Sequence, residues 1–205
     1  SPLGVVDLTI ALNFVYSPPM DKIIWDVGHQ AYAHKIITGR REKFKNLRQK
    51  NGISGFLKID ESEYDTFGAG HASTSISAAL GIAHARDKMN LKHKVLAIIG
   101  DGGLTGGMAY EGLNNLGYHK TQLTVILNDN SYSISKSVGA LSKYLTRIVT
   151  NPTYNKIRTD LWNLTGKIPA ISSTIKKIIR KTEGSIKAYL TPGSLFEELG
   201  LRYIG

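Results

Sequence analysis

The sequence predicts an α/β fold, a largely parallel β-sheet flanked by helices and carrying a helical insertion. Three observations predict it. Three short apolar runs each end in glycine or a polar residue, stretches of helical periodicity separate them, and a long basic segment after the third run loses the strand pattern.

In chain order, residues 1–16 predict a helix. Ser1 can cap it, Pro2 suits its first turn, and Leu3, Val6, Ile10 and Phe14 recur at helical spacing before Ser17-Pro18-Pro19 stops it. A helix so near the start leads to the expectation of a truncated chain. Lys22 to Val27, Val95 to Ile99 and Leu123 to Leu127 predict buried strands. Ser73 to Lys88 and Thr105 to about Leu116 predict the helices between them. From Ser131 to about Leu190 the pattern becomes amphipathic, as in Ile171 to Ile179 with lysines on the other face, and Asn151-Pro152 and Ile168-Pro169 punctuate it. Leu195 to Leu199 predicts a helical turn and Leu201-Arg202-Tyr203-Ile204 the start of a strand, broken off in mid-fold. The expected organisation is an α/β core over 1–130, a basic helical insertion over 131–192, and a return to the core over 193–205.

With 205 residues and 41% apolar content, the chain can bury a substantial core. Its net charge of +10 is unevenly placed: 14 basic and 12 acidic side chains in 1–130, 11 and 2 in 131–192, 1 and 2 in 193–205. The basic segment raises the alternative of a nucleic-acid-binding module. Its lysines alternate with isoleucines at helical spacing and only sparsely with aromatics, which fits a solvated helix face better than a base-stacking platform, so no nucleic-acid partner is expected. No apolar stretch approaches bilayer length, Ser1-Pro2-Leu3-Gly4 lacks the layout of a secretory signal, and no membrane association is expected. The absence of cysteine excludes disulfides and thiolate metal sites and makes a cytoplasmic location the default expectation.

Gly100-Asp101-Gly102 and Asn128-Asp129-Asn130 are separated by one βαβ unit. A parallel sheet sets such motifs side by side at the carboxyl ends of its strands, where open α/β sheets bind ligands. Asp101 and Asn130 then offer a carboxylate and an amide oxygen, hard donors suited to Mg²⁺, which prefers six oxygens including ligand phosphates. The backbone carbonyl of Tyr132 and a diphosphate are the expected remaining donors. Gly102 and Gly103 allow close approach of phosphates, and a helix starting near Thr105 would point its N-terminus at them. Either motif alone is equally well a tight turn; the pair at this spacing is more telling. Gly100 to Thr105 misses G-x-G-x-x-G at its last position, and no P-loop sequence is present.

Gly-Asp-Gly followed by Asn-Asp-Asn resembles the thiamine diphosphate motif of the transketolase group. The runs Ile24 to Tyr32, Glu61 to Asp65, Gly70 to Ser77 and Thr105 to Glu111 resemble one branch of it, the 1-deoxy-D-xylulose-5-phosphate synthases, and the resemblance extends through Ser133 to Leu141 to Phe196-Glu197-Glu198-Leu199-Gly200. It implies a thiamine diphosphate-binding fold with thiamine diphosphate and Mg²⁺ as cofactors. It implies condensation of pyruvate with D-glyceraldehyde 3-phosphate, with loss of CO₂, to 1-deoxy-D-xylulose 5-phosphate, a precursor for isoprenoids, thiamine and pyridoxal. It also implies a homodimer whose activating glutamate comes from a second domain outside this chain, which alone would be inactive. Another transketolase-type enzyme with a different donor is the nearer alternative.

His29 and His71 each follow a glycine just after an extended stretch, so both can project into the crevice with Asp101. A lone loop histidine is more often a hydrogen-bonded or solvated ring; shared placement and the resemblance favour a site. The resemblance assigns His29 to the reactive end of the cofactor as a proton-transfer residue, Gly70, His71 and Ala72 to a cofactor-contacting turn, and Gly102, Gly103 and Asn130 to the diphosphate and metal. His34 is a candidate for the substrate side, whereas His84, His93 and His119 read as structural. Glu111 lies about 9 Å down its helix from Thr105, on the wrong side for the cofactor ring. The chain departs from the family where Ala72 replaces a common serine, Gly103 a common alanine and Ala33 a common proline.

Overall fold

Among the described residues three parallel strands carry the fold: β1 (Lys22–Trp25), β2 (Val95–Gly100) and β3 (Thr124–Asn128), in the order β1-β2-β3. The computed structural model describes residues 2–129 and 194–204, and the chain divides into two compact units, Ser1–Ser137 and Val138–Gly205. The expected insertion over 131–192 lies outside the described residues, as do Asn130 and Tyr132.

The strands form because β-branched and apolar residues run without a break where both sheet faces are covered. Ile23, Trp25, Leu96 and Ile98 share one cluster with Val5, Leu12, Ala31 and Leu57. Ile24, Ala97 and Ile99, one residue out of phase, are equally buried and belong to the opposite face. Helix α3 (Ser75–Lys88) packs on β1 and β2, and α5 (Gly107–His119) packs on α3. Gly112 permits the close crossing of these helices, since a Cβ there would lie 3.0 Å from Ile76 Cγ2.

Several boundaries and faces differ from expectation. Helix α1 (Val6–Val15), entered through a single tighter turn at Pro2–Val5, forms as expected. The Leu3, Ile10 and Phe14 stripe is nevertheless its exposed side, with Phe14 90% accessible, while Val5, Thr9 and Leu12 face the core. Both faces are largely apolar, so periodicity identified the helix without identifying its buried side. The strand expected from Leu123 is β3, and it is only partly buried because among the described residues it pairs on one side alone. The helix expected from Thr105 is α5, which starts at Gly107, and an unexpected helical turn, α4 (Asp101–Leu104), precedes it across a break at Thr105-Gly106. That turn therefore begins directly at Asp101.

In the second unit, Ser194–Glu198 is helical. Gly200, at φ 82°, ends it: the Leu201 amide donates to Phe196 O and the Gly200 amide to Glu197 O, the glycine-dependent closure common at helix ends. Leu201 to Ile204 is not a strand; an extended segment needs a ladder partner, and none pairs with it among the described residues. Phe196 instead stacks on Tyr203, with centroids 5.7 Å apart. Among the described residues no helix is long and apolar enough to cross a membrane.

Candidate cofactor site

The parallel register brings three strand tips to one sheet edge. Trp25 lies opposite Ile98 and Gly100 opposite Asn128, so Asp26 to Gln30, Asp101 to Gly103 and Asp129 all emerge from the carboxyl end. Gln30 joins them. Its Oε1 accepts from Asn128 Nδ2 at 3.4 Å, and its Nε2 sits 3.1 Å from where a Cβ on Gly100 would stand.

A fourth segment is drawn in by Asp26. This carboxylate is 1% exposed and accepts two backbone hydrogen bonds, from the Ser73 amide to Oδ1 at 2.9 Å and from the Ser75 amide to Oδ2 at 3.1 Å. Ser73 Oγ in turn donates to Gly103 O at 2.7 Å. The turn Gly70-His71-Ala72 thus lies between Ser73, tied to the tips of β1 and β2, and Ala69, whose Cβ would be 2.7 Å from a Cβ on Gly28. Gly28 has φ 87° and Gly70 φ 148°, conformations that side chains with a Cβ rarely adopt. His71 and Ala72 are exposed and His29 is part-buried. Burial lowers the His29 pKa below the ordinary 6.5, against the Asp26 charge, which raises it.

Behind these turns sits a buried ion network. Lys35 Nζ donates to Glu61 Oε1 at 2.5 Å and Ser54 O at 2.8 Å. Arg40 grips Asp65 with two 2.7 Å contacts and reaches Glu61 at 3.0 Å. The amides of Ser54 and Lys58 donate to the same two carboxylates. Residues 54–65 are thereby fastened to 35–40, at the end of the short helix α2 (Tyr32–Lys35) and just beyond it, and the Ala69 amide donates onward to Leu57 O.

His34 belongs to this network and not to a substrate face. It is wholly buried, with Nε2 3.3 Å from Tyr64 O and 3.7 Å from Asp65 Oδ1. Glu111 is exposed on α5, and His84 and His119 stack edge to face, 4.9 Å between centroids. Gly102 and Gly103 differ in what their missing side chains make room for. Nothing lies within 4 Å of a Cβ on Gly102, whereas one on Gly103 would lie 2.6 Å from Asp26 Oδ1.

The sheet edge therefore gathers His29, Gly70, His71, Ala72, Asp101, Gly102 and Gly103. Sequence reasoning missed Asp26, Ser73 and Gln30. The available signals were an acidic residue closing a buried apolar run, and a helix α3 with no acidic residue in its own first turn.

The donor set fits a diphosphate and a hard cation. The Asp101 carboxylate is spent on no hydrogen bond or ion pair among the described residues, and Gly102 beside it is exposed and open. Among the described residues no group of three or more His, Asp or Glu side chains is placed to hold a metal. A cation at Asp101 would need amide, carbonyl and ligand oxygens to complete its shell, the pattern of Mg²⁺ bound together with phosphates.

The backbone is similar to a transketolase from Leishmania mexicana, with a TM-score of 0.52 over 62% of this chain and 22% of that one at 22% identity. Together with the three-strand edge, this defines the class: an α/β domain with the transketolase-like fold. A family model described as 1-deoxy-D-xylulose-5-phosphate synthase matches residues 1–205. The chain is 57% identical over 205 residues to a 1-deoxy-D-xylulose-5-phosphate synthase of Caldanaerobacter subterraneus subsp. tengcongensis, covering 100% of this chain and 33% of that protein. It is 59% identical over 203 residues to one of Carboxydothermus hydrogenoformans, covering 99% and 33%. The chain belongs to the 1-deoxy-D-xylulose-5-phosphate synthase family, and it spans about a third of the length of the curated relatives it matches.

Proposed function

We propose that this chain is the thiamine diphosphate- and Mg²⁺-binding part of a homodimeric, cytoplasmic enzyme. The enzyme condenses pyruvate with D-glyceraldehyde 3-phosphate, releasing CO₂ and forming 1-deoxy-D-xylulose 5-phosphate for isoprenoid and thiamine synthesis. The observation that carries the reading is an Asp101 carboxylate that makes no hydrogen bond or ion pair among the described residues, beside the open Gly102, at the edge where β1, β2 and β3 end. Family membership supports thiamine diphosphate as the ligand of this edge.

In this reading Asp101, Asn130 and the Tyr132 carbonyl hold Mg²⁺, and the backbone at Gly102 and Gly103 faces the diphosphate. The bound thiamine diphosphate supplies the nucleophilic and electron-accepting chemistry that cleavage of a 2-oxo acid requires. The residues of this chain would hold and orient it. Gly70, His71 and Ala72 would form a cofactor-contacting turn, and His29, whose pKa burial lowers below 6.5, would accept or return a proton near the reacting end. The core over 1–130, the basic segment over 131–192 and the return over 193–205 remain the proposed organisation.

Isothermal titration of the full-length enzyme tests the site. Asp101→Asn keeps the size of the side chain and removes a ligand charge, so thiamine diphosphate affinity in Mg²⁺ should fall at least about tenfold with the melting temperature nearly unchanged. Undiminished affinity, or no CO₂ released by the wild type from pyruvate with D-glyceraldehyde 3-phosphate, overturns the proposal.

A further inference from the structure

We infer that Asp26 is a positioning residue for the cofactor-facing turn Gly70-His71-Ala72, fastening it to the tips of β1 and β2 without touching the cofactor. The inference rests on the cofactor reading above and adds a residue that reading does not use.

The geometry is specific to a carboxylate. Asp26 uses one oxygen for the Ser73 amide and the other for the Ser75 amide, donors 47 and 49 residues away in the chain. Ser75 opens α3, whose preceding residue, Thr74, makes no side-chain capping bond. Asp26 therefore caps the helix from another element, where negative charge is favoured by the free amides and the helix dipole. Among the described residues no Lys, Arg or His ion-pairs with it, so a buried charge is held mainly by these amides, an arrangement that persists only with both bonds made. The Ser73 hydroxyl bond to Gly103 O completes a three-way tie of β1 tip, turn and β2 tip. Gly103 sits against Asp26 Oδ1, so any movement of the carboxylate is felt beside Asp101 as well.

Asp26→Asn breaks this tie with almost no change in volume. An amide offers one acceptor oxygen, and its NH₂ must face one of the two backbone donors. The test uses the full-length enzyme and two readouts besides turnover: thiamine diphosphate affinity by titration at saturating Mg²⁺, and hydrogen exchange of peptides spanning 70–78 in the apo protein. Asp26→Asn should accelerate exchange across the turn and the first turn of α3 and weaken cofactor affinity about tenfold or more. Ser73→Ala, which keeps both amide bonds and loses only the hydroxyl link, should leave the α3 end protected and weaken affinity by a smaller factor. This milder variant decides the matter if Asp26→Asn fails to fold: unchanged affinity in Ser73→Ala then counts against the tie. Unchanged exchange and affinity in a folded Asp26→Asn protein overturn the inference. If the wild type binds no thiamine diphosphate, the cofactor reading fails separately, and exchange alone decides whether Asp26 holds the turn.

Discussion

The Arg40 guanidinium and the Asp65 carboxylate meet face to face, Nη1 to Oδ2 and Nη2 to Oδ1, both at 2.7 Å, with Asp65 fully and Arg40 almost fully removed from solvent. Burial by itself would raise the Asp65 pKa. His34, Arg40 and the Lys58 amide outweigh it and hold the group at about 2, against an ordinary 3.8. At 3.7 Å His34 Nε2 is too far for a hydrogen bond, so the Arg40 fork and the amide carry most of the effect. Because the folded-state value is depressed, the unfolded chain takes up the proton first. The stabilisation is full above 3.8 and is lost as pH falls through about 2, amounting to about 2 kcal/mol. Asp65→Ala, which leaves the buried guanidinium with Glu61 as its remaining carboxylate partner, should cost at most about 3–5 kcal/mol. Urea melts between pH 5 and pH 2 check both, and a variant whose acid sensitivity matches the wild type would refute the assignment.

His29 should dominate the acid limb of the rate profile. Burial lowers its pKa from 6.5, so in the proposed proton-transfer role the neutral form would be the working one and would be lost as pH falls below that lowered value. The same sign applies to stability, since protonating the part-buried ring becomes a cost below 6.5. His29→Asn should reduce kcat by roughly 10²- to 10⁴-fold while changing cofactor affinity little. An acid limb unaltered in this variant would remove His29 from proton transfer.

Gly28 and Gly39 offer a matched pair. Both have φ near 90°, at 87° and 90°, but a Cβ on Gly28 meets Ala69 Cβ at 2.7 Å and Leu57 N at 3.3 Å, whereas Gly39 has nothing within 4 Å. Gly39→Ala should cost only backbone strain, about 1 kcal/mol. Gly28→Ala should cost distinctly more and also weaken cofactor binding, because the strain adjoins His29 and the Ala69 turn. Thermal melts of the two variants side by side would show equal losses if the close approach at Gly28 did not matter.

On α1, Leu12 is 6% exposed and Phe14 90%. Leu12→Ala should therefore cost about 2–5 kcal/mol, and Phe14→Ala no more than about 0.5 kcal/mol. Denaturant midpoints that reversed this order would place the other face of the helix on the sheet.

The position of the candidate site was legible before any coordinates, through local chemistry. An apolar run closing in Gly-Asp-Gly, a helical stretch, and a second run closing in Asn-Asp-Asn require only strand periodicity and the parallel connection rule to put Asp101 and Asn128 at one edge. His29 and the Gly70-His71-Ala72 turn were legible through glycine placement and family resemblance. The helical turn at Asp101–Leu104 and the break after it were not, because Gly102, Gly103, Gly106 and Gly107 make helix and break nearly equal in local preference.

The sequence by itself determined most of the segments that become strands and helices and which family the chain resembles, and it singled out the candidate site residues, because these depend on neighbours within a few positions. Only the tertiary structure decided which side of α1 is buried, that His34 serves a buried charge network, and that Asp26 caps a helix 49 residues away. The physical reason is that burial and long-range hydrogen bonding are properties of pairs of elements. A carboxylate at the end of a strand carries no local mark of the amides it will meet until the sheet and α3 have packed together.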